Sequence, residues 1–252
     1  MASFISRHPL VTFFILAYAI SWGSYFLLSG PVLFPFGSIL AAVIVALATE
    51  GVGGLKGLLS RCLRWRVAPT CYLVALSAPV AIACGALYLN AAVGGPLPPR
   101  FNGMWWEGLL LLPMAIVDAP LWEDSGWRGF AMPRFPVNRS RFLNTLILGI
   151  LLAGWHLPLA LAAGVRVAIP YFTTTILSAF VTNWIYYGSG QSALLAIIYH
   201  GAANAMGIAF FQSYSGTDQI WLFWCLAAMN FIAMVLIVVT DRKRWLRKEE
   251  ML

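Results

Sequence analysis

Long uncharged apolar runs alternate along the chain with short joints. Runs long enough to cross a bilayer, which takes about 20 residues, lie at 10–28, 31–49, 70–92, 143–163, 167–187, 191–211 and 219–240. An eighth, 105–122, is apolar apart from Glu107 and Asp118 and runs on into a charged stretch. Glycine and proline punctuate the joints: Ser29-Gly30-Pro31, Gly94-Gly95-Pro96, Gly188-Ser189-Gly190 and Ser215-Gly216. The pattern predicts an all-α, polytopic integral membrane protein of about eight transmembrane helices, a single membrane domain over 1–252. Between the second and third runs, 52–66 sets Val52, Leu55, Leu58, Leu59, Cys62 and Leu63 against Lys56, Arg61, Arg64 and Arg66. That alternation predicts an interfacial amphipathic helix.

Composition agrees and excludes other classes. The chain is 61% hydrophobic and 10% charged, against roughly 45–50% and about 25% for a soluble domain. An ordinary soluble globule, a disordered chain and a disulfide-framed module are all excluded. Four cysteines without C-x-x-C spacing offer neither a zinc knuckle nor a thioredoxin-like pair. A net charge of +7 raises nucleic acid as a partner, and the distribution of the charge answers it. With a cytoplasmic N-terminus and eight spans, only Arg100 and Arg166 of the 16 Lys and Arg residues fall outside. This is the positive-inside pattern. It predicts both termini in the cytoplasm, with anionic membrane lipid and not nucleic acid facing the basic surface; in a prokaryote the membrane is the cell membrane. The first run is long and lacks a small-x-small cleavage site, so it reads as a retained helix. No internal repeat is evident.

Charge inside a membrane costs roughly 2.5–3.5 kcal/mol per group on insertion scales and marks candidate function. The stretch Leu121-Trp122-Glu123-Asp124-Ser125-Gly126-Trp127-Arg128-Gly129-Phe130 concentrates three such groups. If the fourth helix continues to about Pro133, Glu123 lies about 15 Å from its cytoplasmic end, tolerable only beside a polar cavity open to that side. His156 lies mid-span in the fifth run, and His200 and Asn204 share one face of the seventh at i, i+4. Asp124 and Arg128, also i, i+4, form an intrahelical ion pair that leaves Glu123 on another bearing. Each feature has an ordinary structural reading. A single membrane histidine usually bonds a neighbouring helix, and the Asp124–Arg128 pair orients. Asn183 is packing glue, Glu107 is interfacial, most tryptophans form belt and core, and Asp118 has no assignment. One acid and two histidines at similar depth on three helices outweigh those readings taken singly.

These residues resemble a known family. Glu123-Asp124-x-x-x-Arg128 with Gly126-Trp127-Arg128-Gly129-Phe130, then Trp155-His156-Leu157-Pro158, then His200-x-x-x-Asn204, are similar to the ordered motifs of the CAAX prenyl protease and bacteriocin-processing (CPBP, Abi-like) intramembrane endopeptidases. The resemblance covers 104–207 as a protease core and extends to the basic segment 51–67, and the family's eight-helix architecture matches the span count. Two positions depart from it: Asp124 stands where a second glutamate is usual, and Leu152 where an aromatic precedes the first histidine.

The resemblance implies an intramembrane endopeptidase acting on a membrane-associated substrate, either a CAAX-type C-terminal tail or a peptide precursor. Glu123 and His156 would activate water, His200 and Asn204 would stabilise the oxyanion, and Asp124 and Arg128 would support them. The favoured reading needs no cofactor. The alternative is a His₂Glu zinc site of Glu123, His156 and His200, since the family is named both as metalloprotease and as glutamate protease. Two rival classes remain: a non-catalytic membrane partner serving self-immunity or scaffolding, and a proton-coupled transporter, which the lack of repeats disfavours.

Overall fold

The computed structural model describes residues 4–27, 33–98 and 107–247. The predicted joint at Ser29-Gly30-Pro31, the predicted outer cation Arg100, residues 104–106 and Lys248 lie outside these, as does the side chain of Glu107. Among the described residues there is no β-strand, and six helices are long and apolar enough to cross a membrane. The principal elements are α1 (Pro9–Leu27), α2 (Gly37–Cys62), α3 (Pro69–Ala92), α4 (Pro120–Gly126), α5 (Arg141–Trp155), α6 (Val165–Gly188), α7 (Ala193–Met206) and α8 (Gly216–Thr240). The fold is that of an all-α polytopic membrane protein.

The fourth and fifth predicted spans differ from simple crossings, and proline is the reason. The fourth is a chain of pieces, Glu107–Leu110, Leu112–Asp118 and α4, then a π-helical turn Trp127–Ala131 and a 3-10 turn Met132–Arg134. Pro113, Pro120 and Pro133 each lack an N–H and interrupt the helical ladder. The fifth stops at Trp155 after 15 residues and resumes as Leu157–Ala162, with Pro158 at its start. Irregular backbone at membrane depth is tolerated only where protein or a cavity surrounds it, and both breaks lie inside the bundle.

The predicted amphipathic segment begins at a kink: Gly51 has non-helical φ and ψ of 62° and −147°, a conformation that favours glycine, and divides α2 into two helical stretches of which 52–62 is the second. The helix ends at Cys62, so 63–66 lie beyond it. Val52, Leu59 and Leu63 are exposed and Leu58 is buried. Two of the predicted surface cations are engaged: Arg61 Nε donates to the Gly129 carbonyl at 2.7 Å and Arg64 to that of Gly190 at 2.6 Å. The Gly129 carbonyl is the one whose usual i+4 donor would be Pro133, and the Arg61 guanidinium supplies the missing hydrogen bond.

Small residues let the helices approach closely. Ala41, Ala42, Val45 and Ala46 of α2 are fully buried, α4 packs between α2 and α7, and α6 packs between α5 and α8. A Cβ at Gly126 would lie 2.6–2.7 Å from Ser38 side-chain and backbone atoms, whereas one at Gly53 would meet nothing within 4 Å. Serine caps begin two helices: Ser140 accepts from Leu143 N at 3.2 Å, and Ser192 from Leu195 N at 3.4 Å.

Gly126→Ala is therefore expected to lower stability by about 1–3 kcal/mol through overpacking, while Gly53→Ala stays within about 1 kcal/mol of the parent. Thermal unfolding of both variants in one detergent checks the contrast.

Candidate active site

Three polar stations converge through separate elements. Glu123 comes from α4, His156 from the break after α5, and His200 with Asn204 from one face of α7. All four line one cavity of about 220 Å³, with Arg128, Trp127 and Leu152 beside them. Glu123 is 5% exposed. Its backbone is held from α2, where the Ser38 hydroxyl donates to the carbonyls of Trp122 at 3.0 Å and Glu123 at 3.3 Å.

Asp124 points away from the cavity and anchors the site. It is fully buried and pairs with Arg128, itself 3% exposed. Its second oxygen accepts from His200 Nδ1 at 2.9 Å. Arg128 Nε donates to Asn183 Oδ1 at 3.1 Å, and Asn183 Nδ2 donates to Thr145 Oγ1 at 3.0 Å. A continuous buried network thus runs from α7 through α4 and the π turn to α6 and α5. The sequence predicts the Asp124–Arg128 pair but not its extension to His200. Asn183, read as packing glue, is a second hydrogen-bond acceptor for Arg128 beside Asp124.

The network fixes ring chemistry. An ionised carboxylate only accepts, so His200 carries its hydrogen on Nδ1. At His156, Nδ1 meets the Leu152 carbonyl at 2.9 Å; a carbonyl also only accepts, so that nitrogen donates too. Nε2 is then the nitrogen each ring has left for the cavity. The His156 ring is wedged edge-on between Trp155 at 4.8 Å and Tyr171 at 5.6 Å between centroids. Leu152, at the position where the family carries an aromatic, lines the cavity and also supplies the carbonyl for His156.

A metal needs its ligands drawn together. Among the described residues, no group of three His, Cys, Asp or Glu side chains could hold a metal ion. Glu123, His156 and His200, as arranged here, do not form such a group.

One wall of the cavity escapes the sequence reading. Tyr171, Thr174, Thr175, Ser178 and Thr182 form a polar stripe along α6. Their spacing at three, four and seven residues was the available signal. Four of these hydroxyls donate to backbone carbonyls: Thr174 to Phe223, Thr175 to Tyr171, Ser178 to Thr175 and Thr182 to Ser178. The remaining wall is mainly apolar: Pro79, Ile82 and Ala83 of α3, Phe211, and Phe223 and Leu226 of α8, with Asn230 beside them.

Fold and site together define an all-α polytopic membrane protein with a buried carboxylate, two histidines and an asparagine around one internal cavity. Residues 104–206 match the family model of the Rce1-like type II CAAX prenyl endopeptidases. Over 132 residues the chain is 24% identical to a protein of Methanococcus maripaludis named CAAX prenyl protease 2, covering 47% of this chain and 49% of that protein. The chain thus matches about half the length of that curated relative. Both similarities support the CPBP family to which the motifs point.

Removing one member of the buried network leaves an uncompensated group. Asp124→Asn and Arg128→Met are each expected to cost about 3–5 kcal/mol, and the double variant less than their sum. A double-mutant cycle by denaturation in detergent measures this.

Proposed function

We propose that the protein is an intramembrane endopeptidase that hydrolyses a peptide bond near the C-terminus of a membrane-associated, CAAX-type substrate. The observation that carries this reading is the convergence of Glu123, His156, His200 and Asn204 on one cavity. The similarity to the type II CAAX prenyl endopeptidases supports it, and the apolar wall suits a lipidated tail better than a soluble peptide. The arginine-rich end of the bundle faces the cytoplasm in this reading, so substrate enters from that side.

The chemistry follows from the side chains. Glu123 accepts a proton from a water held on its other hydrogen by His156 Nε2, and the resulting hydroxide attacks the scissile carbonyl carbon. Charge moves to the carbonyl oxygen, where the Asn204 amide and the Nε2–H of a doubly protonated His200 donate hydrogen bonds. One such donor contributes roughly 2.7–4 kcal/mol. Asp124 balances the His200 imidazolium and Arg128 keeps Asp124 oriented. As the C–N bond breaks, Glu123 returns its proton to the leaving amine. This sequence draws every proton transfer from side chains in the cavity.

Glu123→Gln is expected to lower turnover at least about 10²-fold, the smaller end of general acid–base contributions, with the protein still folded in the membrane. Mapping peptide termini by mass spectrometry in membranes holding matched amounts of parent and variant checks it. Termini that depend on Glu123 establish the endopeptidase and name its substrate class. Identical termini, with both proteins folded and a farnesylated CAAX peptide left uncut by each, favour a non-catalytic partner. Stoichiometric zinc whose removal stops turnover would overturn the mechanism.

A further inference from the structure

The first span contacts the candidate site through two aromatic donors. Tyr18 and Trp22 are half buried and lie one turn apart on α1. The Tyr18 hydroxyl donates to the Leu151 carbonyl, and Trp22 Nε1 donates to that of Trp155 at 2.9 Å. The two acceptors are also four residues apart, so donors at helical spacing on α1 meet acceptors at the same spacing on α5. Between them lies Leu152, whose carbonyl accepts from His156 Nδ1.

This last turn of α5 is weak by itself. Pro158 brings no N–H to the Gly154 carbonyl, and the His156 amide is shared between the Leu152 and Ala153 carbonyls at 3.2 Å each. Terminal carbonyls need outside donors: Trp22 provides one to Trp155, and Tyr18 adds a second hydrogen bond to the Leu151 carbonyl one turn back. A Cβ at Gly154 would lie 3.0 Å from the Tyr18 hydroxyl, so the close approach relies on glycine there. The Trp155 ring, whose carbonyl Trp22 holds, stands edge-on to both His156 and Trp127.

We infer that Tyr18 and Trp22 are positioning residues for His156. By pinning the last turn of α5 they keep Nδ1 on the Leu152 carbonyl and so hold the ring in the tautomer that presents Nε2 to the cavity. Its functional meaning rests on the proposed role of His156, but the ring geometry can be tested without turnover. Both residues lie outside the segment matched by the family, 104–206.

The test uses the full chain in lipid nanodiscs with its histidines labelled with ¹⁵N. The chain has three, His8, His156 and His200, and His156→Gln assigns the resonances. In the parent, the neutral His156 ring is expected to show a protonated Nδ1 and an unprotonated Nε2. In Tyr18→Phe/Trp22→Phe these two signals move toward each other as the tautomers mix, while His200, held by Asp124, stays unchanged. Phe13→Leu thins the packing of α1 against Trp127 of the π turn without removing a donor to α5, and it leaves His156 unchanged. With a farnesylated CAAX peptide as probe, kcat of the double variant falls about tenfold at constant KM, as for a slightly misplaced group. An unchanged His156 spectrum in the double variant, or equal mixing in Phe13→Leu, overturns the inference. Full activity of Glu123→Gln would instead sink the protease reading and leave the ring result standing.

Discussion

A carboxylate and a guanidinium buried side by side hold this molecule in register. Asp124 and Arg128 are shielded from solvent almost completely, and such a pair is stable only if its remaining hydrogen-bonding capacity is met. His200 and Asn183 meet it from α7 and α6, and Thr145 completes the chain from α5. A shift of α6 or α7 along α4 would break a hydrogen bond to a buried charge. The relative heights of Glu123 and His200 are therefore tied together by the Asp124–His200 hydrogen bond beside the cavity.

Much of this was legible in the residues. The i, i+4 pairing of Asp124 with Arg128, the shared face of His200 and Asn204, and the polar depth of His156 follow from helical geometry alone. The predicted start of the amphipathic segment at 52 also falls next to the kink at Gly51. Hydropathy was a poorer guide to the fourth and fifth spans, because it counts proline by its apolar ring and not by its missing N–H. Pro113, Pro120, Pro133 and Pro158 carried that information. The link from Asp124 to His200 spans 76 residues of sequence, and no local pattern encodes it. The hydroxyls of α6 were hidden for another reason: Thr175, Ser178 and Thr182 bond their own helix backbone, so they interrupt an apolar run without resembling a site.

The similarity to the endopeptidase family and the cavity do not have the same extent. Residues 104–206 contain the carboxylate, both cavity-lining histidines and the asparagine. Pro79, Ile82 and Ala83 of α3, and Phe223, Leu226 and Asn230 of α8, line the same space from outside that segment. Part of the cavity wall thus comes from outside the matched segment, and a change there leaves all four of the central polar side chains in place.

The buried network also bears on synthesis. The fourth segment carries Glu123, Asp124 and Arg128, and the groups that satisfy Arg128 and Asp124 from other helices lie 55 and 76 residues further on. When this segment emerges from the ribosome, neither Asn183 nor His200 has been made. Its charges and its prolines make it a poor candidate for insertion alone. Its charges gain their partners from other helices only once α6 and α7 have been made.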